Sequence, residues 1–193
     1  MIGWYMAGAL LGGANGLLSA AMAWGREVRQ HRFYFPAGLG GLFGLYEVWL
    51  FGGLGPDFWL LWLLWGCLLS ASLTDLTKRE IIPQAMAAYA GAMALCHLTQ
   101  LSVSLFVNAL LGAAAGAVIL ALPRLLRPGS VGRGDVLLLA ITGFGAGFPG
   151  VIYVLSRSLA ALAIVSIVQL LRKKLTIQSE MPLAPFLLFG VLI

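Results

Sequence analysis

Long apolar runs follow one another along the whole chain, and they restrict the possible folds more than any other feature of the sequence. The first run, from Met1 to Trp24, has no basic residues before it and several further runs after it, which argues against a cleaved signal peptide. Hydrophobic residues make up 61% of the 193 residues and charged residues only 10%. A water-soluble domain cannot bury so large an apolar fraction, and runs of about 18 or more apolar residues are typical of membrane spans. The sequence therefore predicts an all-α polytopic membrane protein.

Eight apolar segments are separated by short polar loops, and we expect each segment to form a transmembrane helix. No soluble domain or linker interrupts the series, so residues 1–193 are interpreted as one transmembrane domain. Within it we expect residues 1–56 to form an N-terminal helix pair and residues 57–193 to form the helical core. The expected segments are 1–25, 34–53, 57–75, 82–99, 103–123, 135–149, 151–171 and 182–193.

The basic residues lie in alternate loops, and this pattern predicts the orientation of the chain. By the positive-inside rule every basic loop is cytoplasmic, so both termini face the opposite side. The net charge of +5 is then a topology signal, and no nucleic-acid partner is expected. The basic residues that follow spans one, three, five and seven are Arg26, Arg29, Arg32, Lys78, Arg79, Arg124, Arg127, Arg133, Arg172, Lys173 and Lys174.

Two aspartates are predicted at the same, cytoplasmic depth on different helices: Asp75 ends the third span and Asp135 begins the sixth. A carboxylate inside a membrane is costly and usually marks a function. Two carboxyl groups close together share a proton, and the pair can serve as general base and general acid on one water. This chemistry needs no metal and no cofactor. Gly132 and Gly134 have no Cβ, so the backbone before Asp135 can turn sharply and a substrate strand can approach.

A structural role explains the same two residues. Asp135 could be the N-cap of its helix, because aspartate favours that position and its charge suits the helix dipole. Asp75 could end a span at the headgroups and pair with Lys78 or Arg79. A G-x-G-D string is a weak signal when it stands alone, so the residues by themselves leave both interpretations open.

Two other predictions concern helix packing. Glu47 and Arg157 lie at comparable depths in spans two and seven, and we expect them to form a buried structural pair rather than an ion path. Gly112 and Gly116 in span five are typical of a close helix–helix contact.

Three segments carry a family resemblance: "LTDLTKREIIPQ" around Asp75, "GRGDVLLLA" around Asp135 and "EMPLAPFLLFG" near the end of the chain. In this order they resemble the two aspartate motifs and the C-terminal proline- and phenylalanine-rich segment of the type IV prepilin peptidases. Members of this family are integral membrane aspartyl proteases of the GxGD type. The resemblance covers most of the chain from Gly66 onward and implies a GxGD aspartyl protease-like fold.

The resemblance also implies a function, which is cleavage of the basic leader peptide of type IV prepilin-like or pseudopilin precursors. The reaction would take place at the cytoplasmic face of a prokaryotic inner membrane. Larger family members carry a cysteine-rich, zinc-binding methyltransferase lobe after the first helix. Because this chain has only "GREVRQHRFYFP" there, we expect no methyltransferase activity and no metal site. The implied catalytic residues are Asp75 and Asp135, and the implied substrate-binding residues are Gly132, Gly134, Pro83, Pro182 and Pro185.

Two other functions stay open. A GxGD protease could act on signal-peptide remnants or other membrane proteins. Alternatively, the chain could be a non-catalytic membrane factor or small transporter of the same fold. This alternative is favoured by Leu137, where family members commonly carry lysine, and by Pro83, which lies one residue later than the resemblance leads us to expect. A transporter should carry its acids near the bilayer midplane, whereas Asp75 and Asp135 are predicted at the inner edge.

Overall fold

The computed structural model describes residues 2–24, 34–78, 81–129, 131–172 and 181–192. Each of the eight predicted segments coincides with one helix in these ranges, and the ends differ by at most three residues. The described residues contain no β-strand, so the all-α prediction is confirmed. The helices are α1 (Ile2–Trp24), α2 (Tyr34–Phe51), α3 (Pro56–Lys78), α4 (Pro83–Thr99), α5 (Val103–Leu126), α6 (Arg133–Ala146), α7 (Gly150–Leu171) and α8 (Ala184–Leu192).

Several of these helices are suited to a membrane. In the described part of the chain, α3, α5 and α7 are long and apolar enough to cross a bilayer. Helix α2 is apolar from Phe35 to Phe51 but shorter. The chain therefore fits a multi-pass membrane protein, and the number of spans beyond these three stays a prediction. Six basic residues of the predicted orientation pattern lie outside the described residues: Arg26, Arg29, Arg32, Arg79, Lys173 and Lys174.

The third helix lies at the centre of the bundle. It packs against α1, α2, α4, α6 and α8, and 61% of its most apolar window is buried, compared with 17% for α5 and 22% for α7. Every residue of α3 from Leu64 to Thr74 is buried. The outer surfaces of α5 and α7 are apolar and exposed, as lipid-facing helices require. Asp75 lies in the last turn of this central helix, where burial decreases toward its end.

Glycines bring α5 and α6 into backbone contact. A Cβ at Gly112 would meet the carbonyl oxygen of Gly143, and a Cβ at Gly116 would meet the carbonyl oxygen of Leu139. Helices can approach this closely only where both lack side-chain bulk, as in membrane helix pairs with small residues at every fourth position. The predicted packing role of Gly112 and Gly116 is confirmed.

A second glycine contact joins α1 to α2. Gly12 lies against Gly40, and Gly8 lies against Gly44, so tightly that a Cβ at any of the four would meet the carbonyl oxygen of its partner. The spacing of four residues on both helices is present in the sequence, but the sequence does not indicate which helix each glycine faces. The contact makes α1 and α2 a closely packed antiparallel pair.

Buried polar side chains join α1 to the central helices. The side-chain amide of Asn15 donates to the carbonyl oxygen of Trp62 at 2.7 Å, and the hydroxyl of Ser19 donates to that of Gly66 at 3.0 Å. Tyr89 of α4 completes the network, because its hydroxyl donates to the side-chain oxygen of Asn15 at 3.2 Å and lies 3.1 Å from the Ser19 hydroxyl. Every polar group named here has a partner, which is what burial of polar side chains requires.

The predicted pair between Glu47 and Arg157 is wrong. The Glu47 side chain is fully buried, and neither carboxylate oxygen has a hydrogen-bond partner among the described residues. The side chain of Arg157 is exposed. Helix α2 packs against α1 and α3, whereas α7 packs against α5, α6 and α8. Hydropathy predicts the depth of both residues, but it does not predict which neighbours their helices have.

Candidate active site

Asp75 lies in the last turn of α3 and is partly buried. The helix continues to Lys78, three residues beyond the predicted end. The hydroxyl groups on either side of Asp75 are used within the helix: Thr74 donates to the carbonyl oxygen of Ala71 at 2.9 Å, and Thr77 donates to that of Leu73 at 2.6 Å. These bonds satisfy the neighbouring hydroxyls without drawing on the Asp75 carboxylate.

Asp135 lies in the first turn of α6, and it is also partly buried. The helix begins at Arg133, and Gly132 is its N-cap in an extended conformation with φ −64° and ψ 146°. Asp135 is therefore the third helical residue, and the prediction that it could itself be the N-cap is wrong. Its carboxylate accepts a hydrogen bond from the backbone N–H of Gly132, as the acidic residue of a capping box does. The bond orders the start of the helix and fixes the carboxylate beside Gly132.

The loop before α6 is anchored at Val131. The guanidinium of Arg124, in the last turn of α5, donates to the Val131 carbonyl oxygen at 2.6 Å. A Cβ at the adjacent Gly132 would lie 2.9 Å from Oδ2 of Asp135, so any side chain there would crowd the carboxylate. A side chain at position 132 would therefore force the Asp135 carboxylate to shift.

The packing of α3 against α6 brings the two aspartates together. Asp75 and Asp135 lie close enough for their charges to interact, although 60 positions of sequence separate the motifs that contain them. Each carboxyl group is partly withdrawn from solvent, which strengthens the interaction between them. Such a pair can hold one proton between two carboxyl groups and act on a water molecule as base and acid.

Gly134 makes room for Ile81 and not for Asp75. A Cβ at Gly134 would lie 2.9 Å from Cδ1 and 3.0 Å from Cβ of Ile81. Ile81 is two residues before Pro83, which is exposed and begins α4. Gly134 is predicted to let a substrate approach, and its observed neighbour is the segment that follows the first aspartate motif.

The start of α8 also reaches the site. The backbone N–H of Ala184, the first residue of α8, donates to Oδ2 of Asp75 at 3.4 Å. Pro182 precedes the helix and Pro185 is its second residue, and both are partly buried. The sequence predicts a role for the two prolines and none for Ala184. The interacting group is a backbone N–H, which no side chain marks in the sequence. The predicted helix start near Pro182 is the one sequence feature that indicates unpaired N–H groups in this region.

Two cavities differ in their relation to the aspartates. A small pocket between α3 and the start of α4 lies one turn from Asp75, whereas the larger cavity lies at the other end of α3, beside Asp57. Neither cavity is lined by Asp75 or Asp135. In the described ranges, no three His, Cys, Asp or Glu side chains cluster as a metal site would need. The residues lining the small pocket are Ser70, Ala71, Thr74, Ile81, Ile82, Ala85 and Met86.

Comparison with known proteins gives one family. The family model described as the type IV leader peptidase family matches residues 62–167, which is more than half of the chain. The matched range includes both aspartates, Gly132, Gly134 and Pro83, and it ends before α8. No curated protein and no solved structure gives a significant match.

Proposed function

Because the chain belongs to the type IV leader peptidase family, we propose that it is a membrane-embedded aspartyl endopeptidase with Asp75 and Asp135 as its catalytic pair. One observation carries the proposal: Ile81, after the first aspartate motif, packs on Gly134, and two carboxyl groups from different helices thereby lie within range of each other's charge. The range matched by the family model contains both residues. A peptidase that uses two catalytic acids needs them close together, as they are here.

The proposed reaction uses one proton shared by the two carboxyl groups. The ionised carboxylate removes a proton from a water molecule, whose oxygen attacks the carbonyl carbon of the scissile peptide bond. The protonated carboxyl group donates its proton toward the developing oxyanion. As the C–N bond breaks, the first carboxyl group passes the proton taken from water to the departing amine, and a hydroxyl of the intermediate returns a proton to the second. Each acid is needed in a different protonation state, so loss of either stops the cycle.

The proposed substrate is a precursor with a short basic leader followed by an apolar helix, of the type IV prepilin or pseudopilin kind. The aspartates share their end of the bundle with Lys78, Arg124 and Arg133, which supports a cytoplasmic location by the positive-inside rule. The precursor's apolar helix would lie in the bilayer against exposed apolar surfaces such as those of α5 and α7. We propose a prokaryotic inner membrane as the location, and no methyltransferase activity for this chain.

A direct cleavage assay tests the proposal. Purified protein in proteoliposomes is incubated with a prepilin-like precursor, and the product N-terminus is identified by mass spectrometry. A matched precursor without the basic leader, and a signal-peptide remnant, are tested in parallel. Cleavage of the prepilin-like precursor alone supports the proposed substrate. Cleavage of the signal-peptide remnant alone would keep the peptidase and replace the substrate.

The non-catalytic alternative has one observation in its favour. Asp135 accepts a hydrogen bond from Gly132 within its own helix, which gives this residue a structural role that needs no partner aspartate. Absence of cleavage with every precursor, in protein that binds a prepilin-like precursor, would favour this alternative.

A further inference from the structure

Helix α8 presents its N-terminus to one of the two acids. The first N–H groups of a helix have no partner within the helix, and the helix dipole favours a negative charge beside them. In this chain the first such group, the N–H of Ala184, is directed at Oδ2 of Asp75. Ala184 is fully buried, so the contact is shielded from competing solvent.

The position of α8 is fixed by its contact with α7. A Cβ at Gly190 would meet the hydroxyl oxygen of Ser158 and would lie 2.5 Å from the carbonyl oxygen of Val154. Leu187, on the same helix, is fully buried in the main hydrophobic core. The close contact at Gly190 and the burial of Leu187 prevent α8 from sliding along α7. The distance between Ala184 and Asp75 is therefore set by packing elsewhere on the helix.

We propose that α8 is a positioning element for the candidate peptidase, and that its Ala184 N–H orients the Asp75 carboxylate and favours its ionised form. The inference rests on the proposed catalytic role of Asp75. It goes beyond the family match, which ends at residue 167 and leaves α8 outside. Ala184 touches no substrate in this account and acts only through Asp75.

Proline at position 184 removes the donor, and its ring also adds bulk at a fully buried position. Proline is favoured at the first position of a helix, where its missing N–H breaks no helical bond. Ala184→Val keeps the N–H and adds bulk at the same buried position, so it controls for steric effects. Val103→Pro places proline at the first position of α5, an exposed site far along the chain from either aspartate, and it controls for the imino acid itself.

The central readout is the pH–rate profile of precursor cleavage. A carboxylate that loses a hydrogen-bond donor holds its proton more tightly. For Ala184→Pro we expect kcat to fall about 3- to 10-fold near neutral pH, since a bond of 3.4 Å is longer than the strongest charge-assisted hydrogen bonds. We also expect the acidic limb to move to higher pH and KM to stay within about twofold. Ala184→Val and Val103→Pro should keep the wild-type acidic limb.

A second measurement does not depend on activity or on the proline variant. Because Pro182 and Pro185 have no N–H, Leu183 and Ala184 hold the only exchangeable amides of residues 182–185. The Ala184 amide should exchange slowly in the wild-type protein and at least about tenfold faster in Asp75→Ala, which removes the acceptor.

The outcomes separate this inference from the proposed function. If Asp75→Asn is inactive but Ala184→Pro keeps the wild-type kcat and acidic limb, α8 does not position Asp75, and the peptidase proposal stands. Unchanged exchange of the Ala184 amide in Asp75→Ala also overturns the inference. If Asp75→Asn cleaves like the wild type, the proposed function itself fails.

Discussion

Ile81 lies directly over Gly134, with only 2.9 Å between its Cδ1 and the position that a Cβ on Gly134 would occupy. The contact joins the segment after Asp75 to the first turn of α6, which contains Asp135. The two aspartate motifs are therefore packed on each other as well as placed at the same end of the bundle. A substitution of Ile81 or Gly134 should therefore change the positions of the two carboxyl groups.

The first prediction concerns Gly134→Ala. The new methyl group must displace Ile81, and a shift of roughly 1 Å in a catalytic group can lower the rate about a hundredfold. We expect a loss of cleavage of at least about tenfold, and the free energy of unfolding should change by no more than about 1 kcal/mol. Cleavage kinetics and unfolding are measured on one preparation.

The matched control for this substitution is Gly91→Ala, because Gly91 is an exposed helical glycine with nothing within 4 Å of its Cβ position. The double variant Gly134→Ala/Ile81→Ala should recover part of the lost activity, because it removes the Cγ1 and Cδ1 contacts and leaves only the contact with Cβ of residue 81. Gly143 would be unsuitable as a control, since its Cβ would meet the backbone of Gly112. Full activity in Gly134→Ala would show that the Ile81 contact is irrelevant to the reaction.

The second prediction concerns the buried acid Glu47. Its carboxylate oxygens lack hydrogen-bond partners among the described residues, so its burial is unfavourable. Glu47→Leu should raise the free energy of unfolding by about 1–3 kcal/mol, whereas Glu47→Gln, which stays polar, should raise it less. Denaturant unfolding in one detergent measures both. A destabilised Glu47→Leu variant would indicate a partner for Glu47 that the described residues do not include.

The third prediction concerns the network between α1, α3 and α4. Tyr89→Phe removes the hydroxyl that donates to Asn15 and leaves the buried side-chain oxygen of Asn15 without this donor. We expect a loss of about 1–3 kcal/mol in the free energy of unfolding, with kcat per folded molecule unchanged. Tyr153→Phe is the control, because Tyr153 is 59% exposed. Equal stability of the two variants would exclude a stabilising role for the network.

The fourth prediction concerns orientation. In a chain with Cys67 and Cys96 replaced by alanine, a cysteine at Lys78 should react in intact cells only with a membrane-permeable maleimide. A cysteine at Gly55, at the other end of the Asp75 helix, should react with an impermeant reagent from outside. Labelling of position 78 from outside would invert the proposed topology and separate Asp75 from a cytoplasmic leader.

The helices could be predicted from the sequence because lipid-spanning segments must be apolar over a fixed length. Helix ends were the least certain, as the extension of α3 from residue 75 to Lys78 illustrates. The predicted pairing of Glu47 with Arg157 is wrong because hydropathy indicates depth alone, whereas the neighbours of a helix depend on packing around its axis. The four-residue spacing of glycines in α1 and α2 indicates a close helix contact, but it does not indicate which helix lies opposite.

The candidate site was predictable where it depends on side chains with unusual chemistry in an apolar setting. Asp75 and Asp135 stand out for this reason, and the structure brings them within range of each other. The role of Gly134 was misread because the sequence does not show that Ile81 folds over it. The contact from Ala184 was not predictable, since a backbone N–H is present at every residue except proline and only the tertiary fold directs one at Asp75.

The most direct test of the account measures precursor cleavage by Asp75→Asn and Asp135→Asn beside Asp57→Asn, which changes an exposed acid at the opposite end of α3. A shared-proton pair needs both acids, so each of the first two variants should lose cleavage by at least about a thousandfold, and the double variant should be no worse than either alone. Asp57→Asn should cleave like the wild-type protein. Near wild-type turnover in Asp75→Asn or Asp135→Asn, in protein that is folded and inserted, would contradict the assignment of the catalytic pair.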